Sequence, residues 1–323
     1  MRFEDVVLEN HPCPLGCRAN DELVLVGRDR LHNLPGKFRV VRCRTCSLMR
    51  TDPRPTPETI GFYYPEDYGP YQGTLINLDE GSKDQRPLWR RSVTRLKQQI
   101  MENHARLPPL RAGRMLEIGC ASGAFLHRMA GEGWEVDGIE FSEKAASSAR
   151  SLGYRVYTGA LETTPDPQKI YDLVVGWMVL EHLHDPVLAL QKLRFWTRSG
   201  GWLVVSVPNV SSFEFTVFKD AWHALQLPTH LHHFTPKTLA SVLEAGGWRM
   251  EKVFYQRVMH DLVISSGYVL TDHSVFSSFG EKLTKIPERG GRLYYYAPYL
   301  LAYLLSVLGQ SSRMTVWARR KDD

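Results

Sequence analysis

The 323-residue chain has no uninterrupted apolar run at its amino terminus, where Arg2, Glu4, Asp5 and Glu9 break the pattern. That excludes a secretory h-region and leads to the expectation of a cytoplasmic protein. Internal repeats and low-complexity tracts are missing too, which excludes a repeat array. Charge of neither sign dominates, since 40 Lys and Arg against 35 Asp and Glu leave a net +5. Cysteine is scarce, at five residues. What is present, 43% hydrophobic and 23% charged residues, is enough to bury a sizeable core in one large domain with room for a smaller one.

The few cysteines are concentrated. Four of them form two pairs before residue 50, Cys13-x3-Cys17 and Cys43-x2-Cys46. Each pair can set two thiolates on one turn, and two such knuckles brought together by a hairpin make a closed tetrahedral site for structural zinc. Residues 22–27 and 38–42 have the pattern of the hairpin strands, with Leu34, Pro35, Gly36 and Lys37 as the turn between them. Two disulfides are the alternative, which a reducing compartment disfavours. Residues 1–50 are thus expected to form a zinc ribbon, a module too small to hold together without such a staple.

Residues 51–108 have the character of a linker with an aromatic and basic helical segment, and 109–323 that of an α/β domain. Its expected strands are 115–118, 135–140, 155–157, 173–178, 202–207, 251–255 and 314–318, with helical patterns between them, Thr235 as a helix N-cap, and an insertion at about 258–312 before the last strand. The first strand contains Glu117 and runs into Gly119 and Gly123, and the second ends at Glu140. An apolar strand that ends in a glycine loop, opens a helix and is answered by an acidic residue on the next strand describes a pocket for a nucleoside-containing cofactor. The spacing Gly119-x-x-x-Gly123 is not the G-x-G-x-x-G by which dinucleotide folds approach a pyrophosphate.

Glu117, Gly119 and Gly123 resemble motif I of the class I S-adenosylmethionine-dependent methyltransferases, with Ala121 in place of the middle glycine. The likeness extends to Gly159-Ala160-Leu161-Glu162, to Leu180-Glu181-His182 with Asp185-Pro186, to residues 200–209, and to the stretch from Pro228 to Leu239; the ribbon resembles the amino-terminal zinc module of one subgroup. It implies a Rossmann-like seven-stranded sheet carrying a small zinc ribbon and a helical carboxy-terminal insertion. It also implies S-adenosylmethionine as cofactor. Glu117, Gly119, Ala121 and Gly123 would then hold its methionine end, and Glu140 the ribose with Phe141 beside the adenine. Ala160 and Leu161 would touch the adenine, while Trp177 and Met178 face the sulfonium; core packing is the other reading of that last pair.

In-line displacement at a sulfonium methyl leaves the protein to align the reactants and remove a proton from the acceptor, a task suited to histidine. His230 is the first candidate base, because His230-x-x-His233-Phe234-Thr235 resembles a stretch carrying a catalytic histidine in some sugar methyltransferases; His182 and His233 are the others. A second zinc site at His230, His232 and His233 lacks a carboxylate or cysteine at a recognisable spacing.

Three segments keep two readings each. The aromatic run from Phe62 to Tyr71 is domain-packing surface or substrate lining. Residues 83–114, with nine Lys and Arg against Asp84 and Glu102, form a solvated helix face or a landing surface for an anion. The apolar segment 293–309 belongs to twenty uncharged positions, but Pro298 and the return of the chain to the sheet argue against spanning a bilayer. It is then a helix packed on the domain or on a homodimer partner, or an interfacial helix touching the inner face of a membrane. The function expected is methyl transfer to a small-molecule or glycan acceptor, most simply at oxygen. An RNA base methyltransferase is the alternative, against which the ribbon, with nine Lys and Arg and six Asp and Glu, lacks an aromatic-rich basic face for nucleic acid. A non-catalytic protein that keeps only the fold is the third reading, and the intact Glu117, Gly119, Gly123 and Glu140 speak against it.

Overall fold

The computed structural model describes residues 2–65, 105–285 and 299–322. The aromatic run beyond Pro65, the basic stretch as far as His104, and residues 286–298 of the insertion lie outside the described residues. Six parallel strands and one antiparallel strand make the central sheet: β6 (Arg114–Ile118), β7 (Glu135–Glu140), β8 (Arg155–Thr158), β9 (Tyr171–Trp177), β10 (Thr197–Pro208), β12 (Trp248–Tyr255) and β13 (Arg313–Arg320). Their order is β12-β13-β10-β9-β6-β7-β8, with β13 antiparallel to both neighbours. All seven expected strands are present. The seven-stranded, mostly parallel sheet is the Rossmann-like one that was expected.

The parallel strands are nearly continuous apolar runs because helices cover both faces. Helix α1 (Ala124–Gly131) follows β6 and buries Leu126 and Met129, and α2 (Glu143–Ser151) follows β7 and buries Ala145, Ala146 and Ala149. Capping residues fix where the helices begin. Ser142 accepts from the Ala145 N–H at the start of α2, and Asp185 accepts from Leu188 ahead of α3 (Pro186–Trp196). Thr235 and Thr238 form a reciprocal capping box at α4 (Pro236–Ala245). Each such cap satisfies amide groups that would otherwise be orphaned, worth about 1 kcal/mol. The insertion contains α5 (His260–Thr271), α6 (Ser277–Thr284) and α7 (Tyr299–Val307). In α7, Ala302 and Leu305 are buried while Leu300, Leu304 and Val307 are exposed, so it packs by one side only. No helix among the described residues is long and apolar enough to cross a membrane.

The amino-terminal hairpin consists of β2 (Asp21–Gly27) and β3 (Phe38–Cys43), with β4 (Met49–Thr51) beside β3, while β1 (Leu8–Glu9) pairs with β5 (Arg54–Pro55). A fourth strand joins this small sheet from far along the chain. It is β11 (His232–His233), antiparallel to β4, with His232 opposite Arg50 and His233 opposite Met49. Leu48 shares one buried cluster with Leu116, Ile118, Leu180 and Phe234. The two sheets are thus fastened together by apolar burial as well as by backbone pairing.

Candidate active site

A cavity of about 440 Å³ opens where the parallel strands end, the place at which open α/β sheets bind ligands. Its floor is the loop after β6. Gly119 adopts φ +66°, and a Cβ there would meet Val179 Cγ2 at 2.5 Å, so the chain can turn this tightly only with glycine. Ala121, at the middle position of the loop, is itself left-handed at φ +46°. Its N–H donates to Glu140 Oε2 at 2.8 Å, and the Ser142 N–H donates to Glu140 Oε1 at 2.8 Å. Glu140 therefore braces the loop and also lines the cavity. Burial pushes its carboxyl up, and the N–H groups of Ser142, Ala121 and Phe141 oppose that shift.

Of the expected cofactor residues, Gly119, Ala121, Glu140, Phe141, Ala160, Leu161, Trp177 and Met178 line one wall. Two others do not. Glu117 is buried in β6 beneath the loop, its Oε2 has no hydrogen-bond partner, and burial raises its carboxyl well above the ordinary range. Gly123 caps α1 at φ +86°, where a Cβ would meet Ala149 Cβ at 2.9 Å, so its part is close packing of α1 on α2.

His182 and His230 also line the cavity, their rings 4.6 Å apart and edge to face. His230 Nδ1 is 2.9 Å from the Ala224 carbonyl. A carbonyl only accepts, so Nδ1 carries the proton and Nε2 keeps its lone pair. The same logic applies to His182, whose Nδ1 is 2.9 Å from the Thr229 carbonyl and 2.9 Å from the Tyr64 hydroxyl. Burial lowers the affinity of both rings for a further proton, His182 to about 4 and His230 well below its usual value. Behind them Glu181 is fully buried with neither carboxylate oxygen hydrogen-bonded, 4.0 Å from His230 Nε2. Burial pushes it up to about 8. One ligand atom from each of Glu181, His182 and His230 falls within 4.8 Å of the others. A carboxylate does therefore approach His230, from the segment after β9.

His233, the third candidate base, is not among the residues lining the cavity. It is buried outside the cavity wall, with Nε2 3.2 Å from Thr51 Oγ1, because β11 turns it toward β4. The sequence reading also missed wall residues. His184 is one, held through Nε2 near the Pro55 carbonyl, whereas Tyr64 belongs to the aromatic run for which substrate lining was one of the two readings. Arg313 stands at the first position of β13 and is the only Lys or Arg on the cavity wall among the described residues. Its Nε and Nη2 donate to Asp261 at 2.8 Å each. Strand ends at the ligand-binding edge of the sheet are the one signal that could have pointed to it.

At the amino-terminal module, one Sγ from each of Cys13, Cys17, Cys43 and Cys46 lies within 4.8 Å of the others, and all four are free thiols. Burial works against ionising Cys43, but the N–H groups of Cys46 and Thr45 outweigh it and favour the thiolate. Four converging sulfurs, with amide donors at one of them, are what a tetrahedral zinc site with bonds of about 2.3 Å requires.

Residues 91–253 match a family model described as a methyltransferase domain. The chain is 30% identical over 179 residues to a ubiquinone biosynthesis O-methyltransferase of Paraburkholderia phytofirmans, covering 51% of this chain and 74% of the relative. It is 27% identical over 198 residues to the protein of the same name from Paraburkholderia phymatum, covering 56% and 83%. Among solved structures, an S-adenosylmethionine-dependent methyltransferase from Mesorhizobium loti aligns with a TM-score of 0.45 at 20% identity, covering 66% of this chain and 94% of that one.

Proposed function

The chain belongs to the class I S-adenosylmethionine-dependent methyltransferases, and on that premise we propose that it methylates an oxygen of a small-molecule acceptor with His230 as general base. The observation that carries this reading is the tautomer of His230: Nδ1–H is committed to the Ala224 carbonyl, which leaves the Nε2 lone pair to take a proton from a hydroxyl in the cavity. S-adenosylmethionine, when bound, supplies a methyl group on a sulfonium that is already electrophilic. Gly119 and Ala121 would receive its methionine end, with Glu117 buried below them as support for the loop. Glu140, whose oxygens each accept one backbone N–H and retain a lone pair, would take the ribose hydroxyls, with the half-exposed Phe141 ring beside the adenine. Cys13, Cys17, Cys43 and Cys46 would hold a structural Zn2+, closed to substrate because all four positions are filled by protein. The relatives' names favour a small acceptor and oxygen as the methylated atom.

The test is product analysis. Purified protein with S-adenosylmethionine and a panel of phenols, catechols and sugars is expected to yield a product heavier by one methylene, with the methyl group on oxygen by NMR. Methyl found only on nitrogen, or transferred only to RNA, would overturn the proposal.

A further inference from the structure

We propose that Thr51 is a positioning residue for His230, and that through it the four-cysteine module sets the acceptor side of the site while the cofactor side stands independently. The inference rests on the reading of His230 as the base. Thr51 ends β4 and is 1% exposed. Its N–H donates to the Leu231 carbonyl at 2.9 Å, and its hydroxyl donates to the His230 carbonyl at 2.8 Å. With Oγ1 also 3.2 Å from His233 Nε2, this one side chain grips the histidine loop at two points. From the other side the Leu231 N–H donates to the Glu181 carbonyl at 2.8 Å. The loop is thus clamped between β4 and the segment after β9, and these two jaws set where the ring that Nδ1 tethers to the Ala224 carbonyl stands.

The jaw formed by β4 is in turn built on the cysteine knuckle. Cys43 ends β3, its N–H donates to the Leu48 carbonyl at 2.9 Å, and the Ser47 N–H donates back to the Cys43 carbonyl at 2.8 Å. The turn that bears Cys43 and Cys46 is therefore the same turn that aligns β4 on β3, with Thr51 opposite Val40. Next to Thr51, the buried Arg50 pairs bidentately with Asp21 at 2.9 and 2.7 Å and donates through Nε to the His11 carbonyl at 3.0 Å. This fastens the segment leading into Cys13 to the same strand. A metal joining Cys13 and Cys17 to Cys43 and Cys46 would make these contacts one rigid frame, adding to the burial of Phe38, Val40 and Met49 against Trp222 and Leu227. By contrast, Gly119, Glu140, Phe141 and Ala160 stand on β6, β7 and the loops that follow β6, β7 and β8. A displaced base costs rate steeply, about a hundredfold for roughly 1 Å, without any change in cofactor contacts.

The test compares Thr51→Val and Thr51→Ser in the full-length, metal-loaded protein, beside His230→Ala. Thr51→Val keeps the shape and deletes the hydroxyl. It is expected to lower kcat by about ten- to a hundredfold, with S-adenosylmethionine affinity by calorimetry and zinc content by elemental analysis unchanged. Thr51→Ser restores kcat. Wild-type turnover in Thr51→Val beside an inactive His230→Ala overturns the positioning role and leaves the base assignment standing; an active His230→Ala overturns both. A second measurement does not depend on the variants folding: after chelation of the metal, calorimetry is expected to show retained cofactor binding and mass spectrometry a loss of turnover. A metal-depleted chain that loses cofactor affinity in step with turnover overturns the proposed independence of the two sides.

Discussion

Replacing His230 with alanine is expected to lower kcat by about a hundred- to ten-thousandfold while calorimetry finds S-adenosylmethionine bound as in the parent protein. The expected split follows from where the ring stands. It lines the cavity, and its ring is held by the Ala224 carbonyl beside His182 and Glu181, none of them a residue expected to hold the cofactor. Glu140→Ala should do the reverse and weaken cofactor binding by about ten- to a hundredfold, since it removes two charge-assisted bonds and the acceptor of the Ala121 N–H. The pH dependence of kcat/KM gives the same assignment a sharper form. With its carboxyl pushed up to about 8 by burial, Glu181 holds a proton at neutral pH. Taking a second proton from the acceptor then creates a buried imidazolium beside a neutral acid. Above that pH the carboxylate lies 4.0 Å from His230 Nε2 and favours the cation. The neighbouring His182, lowered to about 4, and Arg313, raised above its ordinary value, do not titrate in this interval. kcat/KM should therefore rise through about pH 8, and Glu181→Gln should abolish that limb. A limb near 6.5 that persists in Glu181→Gln would instead assign the base to an unperturbed histidine.

The cofactor half of this site was readable in the sequence because its residues follow local rules. A strand, a glycine turn and a helix are neighbours in the chain, so the spacing of Gly119, Gly123 and Glu140 carries their geometry with it. The cysteine pairs were readable for the same reason. What spacing did not reveal is which residues touch a ligand and which shape the turn, so Glu117 and Gly123 were counted as contacts although one lies under the loop and the other seats α1 against Ala149. The acceptor half was less legible because it is assembled by long-range pairing. Nothing local in the run from His230 to His233 says that its last two residues become a strand against Met49 and Arg50. That pairing turns His233 into the ribbon sheet while leaving His230 at the cavity. Arg313 was hidden in the same way, since its partner Asp261 stands at the start of α5, 52 positions away along the chain.

That last pair yields the largest expected loss of stability. Asp261 is fully buried and accepts from Arg313 Nε and Nη2 at 2.8 Å each and from Ser312 Oγ at 2.9 Å, with His260 Nε2 at 3.1 Å. Burial alone would raise this carboxyl; Arg313 and His260 overcome it and hold it well below the usual carboxylate range. Burial, the larger cause, and the charge of Asp261 together push the nearby Glu214 up to about 8, and in the variant burial still opposes its ionisation. Asp261→Ala thus leaves a largely buried guanidinium at the cavity wall without its counter-ion. Removing one member of a buried ion pair costs about 3–5 kcal/mol, chiefly for the charge left behind. Urea denaturation should show that loss as a lower midpoint with an unchanged slope. The double variant Asp261→Ala with Arg313→Met removes both charges and should recover most of the stability, giving a large coupling in a double-mutant cycle. Equal destabilisation of single and double variants would mean that packing around Asp261, rather than its pairing with Arg313, holds β13 and α5 together.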